Sequence, residues 1–162
     1  MSPTIEYCVM SLEMLRAWAG DAIKDMTEEE LLFQPAEKRN HAWWIFGHMV
    51  LSVDIARYLS ETAALTPKEW EPLFDYGTFP APTGGNYPSK EELAAQFNKN
   101  IDAAVEALKQ MTDDQLSEEP AVKMPEALRD FFKTKGGIIT GYAYHCMFHH
   151  GQIETIRKML GK

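Results

Sequence analysis

Residues 138–160 read IITGYAYHCMFHHGQIETIRKML, and the spacing of their apolar and histidine positions sets both the fold class and the candidate site. Ile138, Gly141 or Tyr142, His145, His149, Gln152, Ile156 and Leu160 recur at steps of three and four, which is one face of an α-helix. Gly161 stands where a helix C-terminus is capped, and Gly136-Gly137 separates this helix from the chain before it. Two imidazoles four residues apart on a helix have Cβ atoms about 6 Å from each other. Both can therefore reach one ion at the metal–nitrogen distance of about 2 Å.

The same periodicity extends over the rest of the chain. Ile5, Val9, Leu12, Leu15, Ala19, Ala22 and Met26 predict a first long helix ending near Met26. Thr27 and Glu30 form a capping-box pattern that starts a short helix ending before Pro35. A polar turn, AEKRN, leads into a second long helix from His41 to about Glu61, with Trp44, His48, Leu51, Ile55 and Leu59 on one stripe. Ser89 and Glu92 cap a third, whose stripe is Leu93, Phe97, Ile101, Ala104, Leu108 and Met111. Met111 to Pro120 then echoes Met26 to Pro35 at the same internal spacing, which suggests two helix-turn-helix halves. Residues 125–135 can form another short helix. No alternating apolar pattern proposes a strand, so the expectation is an all-α four-helix bundle.

Between the second and third helices, residues 65–88 hold five prolines, three glycines and the aromatics Trp70, Phe74, Tyr76, Phe79 and Tyr87. This is a long ordered loop with at most one helical turn after Thr66-Pro67, and loops of that length and composition usually cover something.

Composition narrows the function classes. A chain of 162 residues with 45% hydrophobic and 25% charged side chains suits one domain, 1–162, with its own core. Its 24 acidic against 16 basic residues, without any Lys/Arg-rich run, leave no electrostatic footprint for nucleic acid. No segment approaches the roughly 20 apolar residues of a membrane span and none resembles a signal peptide, so a cytoplasmic location without membrane contact is expected. Cys8 and Cys146 belong to no CxxC pair. Cys146 lies one helical step, about 100°, away from His145 and reads as a small buried hydrophobe rather than a ligand.

His48 occupies the inward position of the second helix that matches His145 and His149 in the last. Three imidazoles in an apolar interior cost several kcal/mol of desolvation unless something compensates them, and a divalent cation is the simplest compensation. Three nitrogen ligands with open positions is the pattern of a catalytic site. It is not that of a HExxH metalloprotease, since Cys146 stands where that motif needs glutamate. Gln152, one turn after His149, either hydrogen-bonds a ligand imidazole or a metal-bound water, or packs at the bundle end. Gly47 and Gly141 either leave room for an exogenous ligand or allow close helix packing. Tyr142 and Tyr144 either donate to an oxyanion or pack in the core. His150 reads as a bundle-edge or partner-contact residue, and His41 as the start of the second helix. No carboxylate can be nominated as general base.

Gly47-His48, His145-Cys146-Met147-Phe148-His149 and Gly151-Gln152-Ile153, together with length, helix order and the proline-rich loop, resemble the DinB/YfiT-like family of metalloenzymes. The likeness spans nearly the whole chain. It implies an up-down-down-up bundle, often homodimeric, with nickel or zinc on three histidines matching His48, His145 and His149. It also implies chemistry of the kind found in thiol-dependent S-transferases and isomerases that use bacillithiol or mycothiol, or in metal-dependent hydrolases. His150 fills the variable position between His149 and Gly151. The expectation is an enzyme whose ion activates a low-molecular-weight thiol or a water for attack on a small-molecule electrophile, with the loop from Trp70 to Tyr87 shaping the entrance. The rival is a non-catalytic binding or stress-response module with a structural or vestigial metal site.

Overall fold

Each of the four long helices starts where a side chain can satisfy its free backbone donors. In the computed structural model, which describes residues 1–124 and 126–162, Ser2 accepts from Ile5 N ahead of helix α1 (Pro3–Ala19). Thr27 and Glu30 close a capping box on α2 (Glu28–Leu31), and Thr112 and Gln115 close another on α7 (Asp113–Leu116), so the sequence echo is also a structural one. His41 Nδ1 accepts from Trp44 N at the start of α3 (Ala42–Ser52). α4 (Ala56–Leu59) and α5 (Glu71–Phe74) are single turns, the latter preceded by a 3₁₀ turn over Lys68–Trp70. Ser89 and Glu92 box the start of α6 (Lys90–Lys109), and Thr134 caps α8 (Lys135–Met159). No strand occurs among the described residues.

α1 and α3 each pack against both α6 and α8, so these four helices enclose one apolar cluster that includes Leu12, Phe46, Met49, Phe97, Ile101, Cys146 and Ile153. The ends of the helices meet in definite pairs. Ser2 reaches Asp113, while Lys90 Nζ donates to the carbonyls of Lys24 and Met26. Arg157 joins Ala22 and Asp25. Phe46 packs against Phe97 with tilted rings, and Asn100 Nδ2 donates to Val50 O.

Three helix boundaries differ from those the sequence predicts. α1 stops at Ala19 instead of Met26, although Ala22, Ile23 and Met26 remain buried. Beyond Gly20 the chain turns through i−3 hydrogen bonds, and Lys90, Arg157 and Lys162 take up its free carbonyls. The second long helix breaks after Ser52. There the buried Asp54 Oδ2 accepts from Leu65 N and Thr66 N, at 2.9 and 2.8 Å, and ties the start of the loop to the core. Gly136 and Gly137 lie inside α8 rather than before it, since Thr134 accepts from Gly137 N and starts the helix earlier. Of the short helix expected over 125–135, Pro125 lies outside the described residues, and a 3₁₀ turn spans Glu126–Leu128.

The loop covers α3. Trp43 Nε1 donates to Pro88 O, Trp44 Nε1 to Thr78 Oγ1 and His41 Nε2 to Ala81 O, while Tyr87 packs on His41, Trp43 and Phe74. These bonds satisfy the polar edges of buried aromatic residues. Among the described residues no helix is long and apolar enough to cross a membrane.

Candidate metal centre

α3 presents His48 and α8 presents His145 and His149 to a common point. The ring centroids lie 5.2, 5.0 and 4.5 Å apart, and one ring nitrogen of each lies within 4.8 Å of the others. His48 and His149 are buried and His145 half-buried. Of the α8 stripe, Ile138, His149 and Ile156 are buried, and so are Ile139, Ala143, Cys146 and Ile153 one step round, so the core face is wider than the stripe and the histidines line its flank towards His48. Cys146 is fully buried, its Sγ 3.9 Å from Met49 O, and burial pushes its thiol pKa up. It is the hydrophobe the sequence indicated.

Two of the rings are held by their outer nitrogens. His48 Nδ1 donates to Phe74 O at 2.7 Å, and His149 Nδ1 donates to Gln152 Oε1 at 2.8 Å. Each bond fixes the tautomer in which Nε2 carries a lone pair, the orientation that ligand histidines adopt around metals. Trp44 stacks on His48 with centroids 5.0 Å apart and planes within 6°. Burial lowers the pKa of His48 and of His149. His145 falls to about 4, through desolvation first and then the neighbouring His149 and His48. All three are thus neutral at pH 7, the form that binds cations.

The donor set fits a divalent ion. His48 Nε2 and His145 Nε2 stand 3.0 Å apart, and two nitrogens about 2.1 Å from one ion at right angles would be separated by about the same distance. Without a cation, the Nε2–H tautomer of His145 would donate to the His48 Nε2 lone pair at that distance.

The glycines beside the site have a packing role. A Cβ on Gly47 would sit 2.6 Å from Phe74 Cγ, and one on Gly141 would meet the ring of Phe132. Each glycine admits an aromatic ring rather than leaving space for a ligand. Tyr142 is stacked between Phe132 and Tyr58, with burial first among the causes that hold its phenol protonated, while Tyr144 faces solvent. His41 caps α3 away from the cluster. His150 is half-buried beside it, its Nδ1 without a hydrogen-bond partner among the described residues.

Two features escaped the sequence. Phe74 contributes through its backbone carbonyl, which no residue type signals. Asp75, at the C-terminal cap of α5, lies close enough for its charge to raise the pKa of both His48 and Tyr142. An acidic residue in a turn next to tyrosine offered no periodicity to mark it.

An all-helical chain with a buried three-histidine cluster compatible with a metal site is the class this geometry defines. The sequence model of the DinB superfamily matches residues 11–153, and the chain belongs to that superfamily. No curated protein matches it.

Proposed function

We propose that this chain is a metal-dependent enzyme in which His48, His145 and His149 hold nickel or zinc, and a low-molecular-weight thiol or a water attacks a small electrophile. The supporting observation is the set of three converging imidazoles, two of them tied by Phe74 O and Gln152 Oε1 so that Nε2 faces the cluster. An ion bound there supplies Lewis acidity, which brings the pKa of a thiol or water toward neutrality. Trp44 keeps water from one flank of His48. In this reading Asp75, whose charge acts on both His48 and Tyr142, takes the nucleophile's proton, and Tyr142, held protonated, donates to developing negative charge. The substrate enters beside the loop that carries Asp75.

The reading includes a single domain with an up-down-down-up path. In its favour, the start of α1 lies by the end of α6, the turn after α1 meets the end of α8 and the start of α6, and α3 pairs Phe46 with Phe97 and Val50 with Asn100. It also includes a homodimer. Tyr7, Met10, Met14 and Trp18 on α1 and Tyr144, Phe148 and Met159 on the neighbouring α8 are exposed. Two chains each carrying −8 would associate through such an uncharged row with least repulsion.

The test is turnover of a panel of small electrophiles with a thiol or with water alone. Activity should vanish on chelation, return with nickel or zinc, and be absent from the His48→Ala/His145→Ala/His149→Ala variant. Equal turnover by that variant would overturn the proposal.

A further inference from the structure

An open cleft of about 440 Å³ lies between the polar turn at residues 35–40 and the C-terminal half of α8. Lys38, Arg39 and Asn40 line one side, Gln152 the other, and Ile45 and Ile156 give it an apolar floor. We propose that this cleft binds the carboxylate end of a small molecule. That this molecule is the substrate or thiol acted on at the histidines rests on the function proposed above.

Three observations carry the assignment. First, Lys38 and Arg39 put two positive charges beside one cavity in a chain of net charge −8, and neither makes an ion pair among the described residues. Glu37, immediately before Lys38 in sequence, does not line the cleft. Arginine and lysine together offer a planar fork and a point charge, a combination suited to a carboxylate.

Second, Lys38 has φ of 60°, and among the described residues it is the only non-glycine residue with positive φ. Glycine would hold this turn without strain. A lysine held in the left-handed region at the rim of a cavity is the kind of local strain that accompanies function.

Third, Gln152 belongs to the cleft and the histidine cluster at once. Its Oε1 accepts from His149 Nδ1 at 2.8 Å, while its amide nitrogen makes no hydrogen bond among the described residues and is left to donate to an anion. A ligand anchored on Lys38 and Arg39 would lie along Ile45 and Ile156 and reach the residue that orients His149. The volume suits a small molecule rather than a peptide.

The experiment uses the full chain stripped of metal, so that it reads binding without turnover. Succinate is titrated at constant ionic strength while amide and guanidinium NMR resonances are followed. The expected result is saturable shifts at the Gln152 side-chain amide and the Arg39 Nε, with the midpoint raised about tenfold in Lys38→Gly/Arg39→Ala. Lys38→Gly is used because glycine adopts the same backbone, which keeps the turn folded. Absence of saturable shifts, identical shifts with sodium chloride, or an unchanged midpoint in the double variant would each overturn the assignment. Failure here leaves the metal-dependent chemistry standing, and loss of that chemistry leaves the anion site standing.

Discussion

Gly47→Ala should damage the protein at two levels through one methyl group. The new Cβ would lie 2.6 Å from Phe74 Cγ, about 1 Å inside the 3.5–4.0 Å contact distance of carbon atoms. The Phe74 ring is fully buried and packed on Tyr87, so it has no free direction in which to yield. Overpacking of this severity sits at the upper end of the usual range, about 3 kcal/mol. Replacing a helix-interior glycine returns about 1 kcal/mol of helix propensity. The net loss is about 2 kcal/mol, or a fall of about 4–8 °C in the unfolding midpoint for a chain of this size. Gly151→Ala is the control, because nothing lies within 4 Å of its added Cβ. It should raise stability by about 0.5–1 kcal/mol. Since α5 carries both the displaced ring and the carbonyl that orients His48, Gly47→Ala should also weaken metal binding about ten- to a hundredfold. Circular dichroism melts and competitive metal titrations read the two effects. A Gly47→Ala midpoint equal to or above that of the parent would refute the packing argument.

Other consequences are more direct. Gln152→Ala removes the acceptor for His149 Nδ1 and should lower metal affinity by about tenfold or more, with the helical spectrum unchanged; unaltered affinity would remove Gln152 from the site. Burial holds the folded-state pKa of His48, His145 and His149 below the ordinary value, with His145 at about 4. The unfolded chain, whose histidines titrate near about 6.5, therefore binds protons first. Stability from these rings is complete above that pH and is lost as pH falls through their lowered folded-state values, about 4 for His145. Urea midpoints of metal-free parent and His145→Gln should accordingly diverge less at pH 4 than at pH 7.

Much of this architecture could be read from the chain because the signals were local. The capping boxes at Thr27, Ser89 and Thr112, and the His41 start of α3, each depend on residues within one turn. The boundaries that shifted depend on distant partners. Ala22, Ile23 and Met26 continue the period of α1 because they are buried, yet Lys90, Arg157 and Lys162 let the backbone turn there. Likewise the break after Ser52 is fixed by Asp54 reaching Leu65 and Thr66. Apolar periodicity reports burial, and it reports helix only while no remote side chain takes over the backbone groups. At the site, the three histidines and Gln152 were legible from spacing. The Phe74 carbonyl was not, since a backbone acceptor leaves no trace in residue identity, and Asp75 came into range only through the folding of the loop. Gly47 and Gly141 showed that space was needed, but whether for a ligand or an aromatic ring depended on where Phe74 and Phe132 settled.

Elemental analysis of the untagged protein, purified without chelators, tests the central claim most directly. One equivalent of nickel or zinc per chain is expected in the parent, and none in His48→Ala or His149→Ala, with the helical circular dichroism of both variants intact. Metal retained at full stoichiometry by His149→Ala, or a parent that neither carries nor takes up either ion, would contradict the claim that these three imidazoles are a metal centre.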